Sequence, residues 1–167
     1  MNLSHRLSRW VAVTGVVLSD DVIEDRRHIV SEIENALEHL VIVPRSASYG
    51  FEPYDYWNTV TAKAWNNYPW PSVQKSMGRR LTCFLGWLIR DLLNDSATIS
   101  HMKRSLLAEG LLTEAEELRL SVCNQLSAKG SNAALVLKAI GVPPNDVVLM
   151  SVEFPSGQAE YSPIPSI

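Results

Sequence analysis

The stretch DVIEDRRHIVSEIENALEHL, residues Asp21 to Leu40, decides how the chain is read. Its apolar residues Val22, Ile29, Ile33, Ala36 and Leu40 recur at spacings of three, four and seven, and Ile23, Val30 and Leu37 widen the stripe. That is the period of a helix with one face against a core. Asp20 or Ser19 is placed to cap its start, acidic residues in the first turn suit the helix dipole, and Pro44 is expected to stop it. The opposite face carries Asp21, Asp25, His28, Glu32, Asn35 and His39, alternating by four and three. Asp25-x-x-His28 has the spacing of a carboxylate–imidazole metal pair, yet a di-metal bundle needs such pairs from two helices and the sequence has no second one. The expectation is a solvated, structural face, with no metal and no cofactor.

Helical periods and turn signals alternate downstream. Residues 44–53 read as a loop. Ser72 caps a helix to about Leu93, with Val73, Met77, Leu81, Phe84, Leu85, Leu88 and Leu92 inward. A helix from about Thr98 to Glu109 turns Ile99, Met102, Leu106 and Leu107 inward and stops at Gly110. Thr113-x-x-Glu116 reads as a capping box that opens a helix to about Ala128, with Gly130 as its stop. A shorter helix follows from Ser131 to Ile140 and ends at Gly141. The apolar, β-branched run Val147 to Phe154 predicts a strand, and Gln158 to Ser162 can pair back on it after the turn Pro155-Ser156-Gly157. Residues 3–18 fit either a strand or a helix, since their valines favour a strand but show no clean period of two. The fold class expected is α+β, mainly α: five or six packed helices with a small C-terminal β-hairpin or sheet. One domain covers residues 1–167, with an extended tail at 163–167.

A chain of 167 residues with 46% hydrophobic and 20% charged side chains can build one core without covalent staples. Its net charge of −3 is too small and too mixed for a nucleic-acid footprint. The two cysteines, Cys83 and Cys123, fall within predicted helices and read as reduced, mostly buried thiols. His5, Arg6 and Arg9 before the apolar run Trp10 to Leu18 imitate a signal peptide, but no small-x-small cleavage site follows. That run is also about half the length needed to span a bilayer. A cytoplasmic protein with no membrane partner is expected.

Few residues suggest chemistry. His5 and His101 stand singly, and Gly78 and Gly86 lie alone in a helical pattern, where they permit close helix approach or a bend. The phrase LVLKAIGV, Leu135 to Val142, resembles the penultimate helix of lambda-repressor-type regulators, and GLLTEAEE, Gly110 to Glu117, resembles their opening helix-turn-helix phrase. The resemblance spans residues 110–142, about a fifth of the chain, and implies a DNA-binding regulator. The two pieces stand too close to enclose a turn and a recognition helix, and only Arg119 and Lys129 supply positive charge between them.

The densest signal is aromatic. Seven of the chain's 13 aromatic residues lie between Phe51 and Trp70. Tyr54, Trp57, Thr61, Ala64, Trp65 and Tyr68 share one helical face and can serve the core. Seven rings are more than one face can bury, so Tyr56 and Trp70, off that stripe, are expected to be exposed. Tyrosine and tryptophan dominate interface hot spots. The function expected is a non-enzymatic protein-binding module of inhibitor, immunity or anti-defence type, meeting another protein through Tyr56, Trp57 and Trp70. The alternatives are a helix-turn-helix-like nucleic-acid-binding regulator and an enzyme whose site is assembled from scattered residues.

Overall fold

Asp21 to Leu40 lies within helix α1, Asp20–Ser48, a 29-residue helix. The computed structural model describes residues 6–13, 20–67, 76–143, 146–154 and 156–163. Along α1 the apolar stripe is inward: Ile29, Val30, Ile33, Ala36, Leu37, Leu40 and Val43 are all buried.

Pro44 does not stop this helix, as the sequence suggested; α1 runs four residues past it. Proline fits helical φ and forfeits one backbone hydrogen bond, and burial of Leu40 and Val43 on the preceding turn offsets that loss. The stop is instead at Gly50, whose φ of +84° only glycine adopts without strain. There Phe51 N–H donates to the Ser46 carbonyl and Gly50 N–H to that of Ala47, the two bonds of a Schellman motif.

Helix α2, Tyr54–Asn66, follows, then α3, Ser76–Leu88, with a 3-10 turn at Arg90–Leu92. Ser72, expected to cap α3, lies outside the described residues. Helix α3 is the hub of the bundle, lying against α1, α4 (Ser96–Ala108), α5 (Leu112–Cys123) and α6 (Lys129–Ile140). Its buried Leu81, Phe84, Leu85, Trp87 and Leu88 meet Met102 and Leu106 of α4, Leu118 and Val122 of α5, and Val136, Leu137 and Ile140 of α6 in one cluster. Arg80 fastens the hub: its Nε and Nη2 donate to the Ala139 carbonyl at 2.9 and 2.7 Å, filling an orphan acceptor at the end of α6, and it also pairs with Glu114.

Three local expectations need correction. Leu107, expected inward, is 67% exposed, because Ser105 takes the inner position on that turn. The capping box at Thr113 is not used: α5 begins at Leu112, and the Glu116 carboxylate is drawn away by Trp87, Arg90 and Arg119. Gly130 does not end a helix; α5 closes at Cys123 and Gly130 is buried inside α6. The start of α6 is held by Lys129, which pairs with Glu34 and, at 2.9 Å, with Glu38 of α1.

The sheet has three strands in the order β1-β2-β3: β1 is Arg6–Val13, β2 is Val147–Phe154 and β3 is Ala159–Pro163. Residues 6–13 of the ambiguous N-terminal run are therefore a strand, antiparallel to β2 from Arg6↔Phe154 to Val13↔Val147, and the rest of that run lies outside the described residues. β3 pairs with the other side of β2, and Pro163, opposite Val148, is its last residue. The rest of the expected tail, residues 164–167, lies outside the described residues. The sheet reaches the bundle through β1, which lies against α1 and α6. A buried ion pair ties β2 in as well: Arg26 Nε of α1 donates to Oδ2 of Asp146, immediately before β2, at 2.8 Å. The expected class, α+β and mainly α, is the observed one.

Candidate functional site

Helix α2 is fastened most firmly at its far end. Trp65 in its last turn is 2% exposed, and His101 of α4 donates from Nε2 to the Trp65 carbonyl at 3.0 Å. The same imidazole meets the Trp65 ring edge-on, so His101 acts as a clasp between α2 and α4. Asn58 adds a second clasp by accepting from Asn94 N–H at 3.1 Å. Toward α1 the link is thinner: the His39 and Trp57 rings meet edge-on, centroids 4.3 Å apart. Nδ1 of His39 donates to the Asn35 carbonyl one turn back, at 2.6 Å, which fixes the ring against Trp57.

Between α1, α2 and α3 this arrangement leaves a groove of about 260 Å³. Leu81, Leu85 and Gly86 of α3 and Ile89 just beyond it form its floor, Trp57, Val60 and Trp65 its α2 wall, and His28, Glu32 and Asn35 its α1 rim. The polar face of α1, expected to see only solvent, thus borders a groove along part of its length, with α2 lining the same groove. Among the described residues no group of three or more His, Cys, Asp or Glu side chains is arranged to hold a metal ion.

Gly86 explains how the floor and wall meet. A Cβ there would lie 2.9 Å from two atoms of the Trp65 indole and 3.1 Å from a third, so the ring rests directly on the α3 backbone. This is the close approach that an isolated glycine in a helical pattern suggested. Gly86→Ala is expected to cost about 1–3 kcal/mol by overpacking, with red-shifted tryptophan emission as Trp65 is displaced; urea unfolding followed by fluorescence checks both.

The three partner-binding candidates fare differently. Tyr56 is 65% exposed on the outer side of α2. Trp57 is half-buried, packed against the core and held between the His39 ring and the Tyr56 ring, the latter 5.6 Å away and perpendicular. Trp70 lies outside the described residues, as does Tyr68. Tyr54 packs partly buried on the core.

A second polar cluster, on the other side of α3, escaped the sequence reading. Trp87 Nε1 donates to Glu116 Oε2 at 2.7 Å, Arg119 Nη2 reaches Glu116 Oε1 at 3.0 Å, and Arg90 Nη1 reaches Oε2 at 3.1 Å while its guanidinium covers the Trp87 ring. Asp91 accepts from Arg119 at 2.6 Å and closes the network. The Arg119 hydrogen bond, followed by those from Trp87 and the charge of Arg90, outweighs desolvation and holds the Glu116 carboxyl down at about 2. Every polar atom named here is used within the fold, so the cluster is a brace. The thiols are similarly quiet: burial, reinforced by Glu109, pushes Cys83 up to about 11, and burial also raises Cys123.

No helix among the described residues is long and apolar enough to cross a membrane. Compared with protein-family models, with curated proteins and with solved structures, the chain matches none.

Proposed function

We propose that this chain is a protein-binding module that acts by surface complementarity, of inhibitor, immunity or anti-defence type, with its binding edge on the end of α1 and on α2. One observation carries the reading. Six of the nine exposed large hydrophobic side chains among the described residues, Val41, Ile42, Tyr49, Phe51, Tyr56 and Val60, fall within one 20-residue stretch. Scattered apolar residues on a surface need no explanation, whereas six within one stretch, Val60 of the groove wall among them, support an interaction site. Tyr56 and Trp57 are the anchors of this reading, and Trp70 belongs to it from the sequence.

The nucleic-acid alternative has less support. Arg119 faces Glu116 and Asp91, and Lys129 faces Glu34 and Glu38, so the cations it would use on phosphates already meet carboxylates. The enzyme alternative has the His28 and Glu32 rim of the groove as its best starting point.

The test pairs a surface variant with a core variant in affinity capture from the native host. Tyr56→Ala is expected to lose about 2 kcal/mol of partner binding while keeping its melting temperature within a few degrees. Leu88→Ala, which empties a fully buried site, should lose stability first. Unfolding of the domain by Tyr56→Ala, or capture unaffected by it, would count against this edge.

A further inference from the structure

We infer that the groove between α1, α2 and α3 receives a lysine or arginine side chain, presented by an apolar segment of the partner protein; this deepens the protein-binding reading and rests on it. Charge complementarity selects the occupant. Among the groove's described lining side chains Glu32 is the one carboxylate, and none is a lysine or arginine. Glu32 is exposed and makes no ion pair among the described residues, whereas Glu34 and Glu38 on the same helix share Lys129. A carboxylate left open at the rim of an apolar slot attracts a cation and repels an anion.

The wall strengthens that preference. Indoles attract cations most strongly of the aromatic side chains, and the half-buried Trp57 lines the same groove as Glu32. The aliphatic stem of a lysine or arginine also suits an apolar floor of Leu81, Leu85 and Ile89, its charged head staying at the rim. Size points the same way. At about 260 Å³ the groove falls below the roughly 300–1,000 Å³ typical of small-molecule pockets, and it has room for one long side chain. Tyr56 and Val60, exposed on α2, offer contact to the apolar neighbours of that side chain.

The experiment titrates the full chain with acetyl-Leu-Arg-Phe-amide and follows the tryptophan indole N–H signals by NMR, assigned with Trp57→Phe. Matched peptides carry glutamate or norleucine in place of arginine, and propylguanidinium is the free cation. The arginine peptide is expected to shift the Trp57 and Trp65 signals saturably, at least fivefold more tightly than the other three probes. Glu32→Gln should weaken it at least fivefold without changing the melting temperature, since Glu32 is exposed and makes no ion pair among the described residues. Equal binding of the arginine, glutamate and norleucine peptides overturns the inference, as does Glu32→Gln behaving like the parent, or propylguanidinium binding as tightly as the arginine peptide. Two outcomes separate this inference from the reading beneath it. Partner capture that survives Glu32→Gln but not Tyr56→Ala overturns the cation site and leaves the module. Saturable arginine-peptide binding, with no protein partner captured by the parent chain, leaves the site and overturns the module.

Discussion

Asp146→Ala is expected to lower the unfolding free energy by about 3 kcal/mol, because it removes one partner of a buried ion pair and leaves the other behind. Arg26 and Asp146 are each 9% exposed, and their 2.8 Å contact joins residues 120 positions apart. Removing the carboxylate strands a guanidinium that water barely reaches. The cost stays at the lower end for such a loss because Asp25 still pairs with Arg26 at 2.9 Å. Position matters too: Asp146 precedes Val147, 1% exposed at the start of β2, so the pair holds the central strand to α1. Asp146→Asn, which keeps an acceptor, should cost less than half as much. Urea unfolding of both variants, with Arg26→Ala to complete a double-mutant cycle, gives the coupling directly. A cycle energy near zero would show that the two side chains are merely neighbours.

The second large effect concerns Glu116 and depends on pH. Glu116→Ala is expected to cost about 3 kcal/mol at neutral pH, since it orphans the Trp87 N–H and removes the shared partner of two arginines. Trp87 is 2% exposed, so its donor has no ready access to water. The sign of the pH effect follows from the direction of the shift. Folding lowers the carboxyl from 4.5 to about 2, so its contribution is complete above pH 4.5 and is lost as the pH falls from there toward 2. The side chain is 34% exposed, and solvent screening trims the charge-dependent share. The stability gap between the parent and Glu116→Ala should therefore narrow across that window. Glu116→Gln, which keeps an acceptor for Trp87 without the charge, should sit between the two and close its gap with the parent at acid pH. Unfolding curves at several pH values from 7 to 2 test this, and a gap that stays constant would refute the assignment.

Much of the scaffold was legible because it depends on local periods. The α1 stripe, the inward face of α3, the strand Val147–Phe154 and the stop at Gly141 all follow from side-chain spacing or from glycine's access to positive φ. These signals lie within a few residues of each other, so a single sequence contains them. The boundary errors also have local causes. Pro44 and Thr113 carry real signals, for a helix stop and a cap, which tertiary contacts overrode: burial of Val43 in one case, recruitment of Glu116 by Trp87, Arg90 and Arg119 in the other.

The candidate site was legible only in part. Aromatic density singled out residues 51–70, and the off-stripe position of Tyr56 predicted its exposure, because one helix face can bury only so many rings. The groove itself was not readable. His28, Glu32 and Asn35 are spaced for a solvated face, and only the placement of α2 on the same groove makes them a rim. That placement follows from the Trp65 ring resting on Gly86, and from His101 and Asn94 drawing α2 toward the α4 side. Residue spacing was enough for most of the helices, for the strand Val147–Phe154 and for which faces seek the core, since those depend on local backbone geometry. Residues 6–13, by contrast, fitted either a strand or a helix until their pairing with β2 was known. The tertiary structure alone decided the β1-β2 pairing, the Arg26–Asp146 tie and the groove, since each joins residues far apart in the chain whose attraction has no local signature.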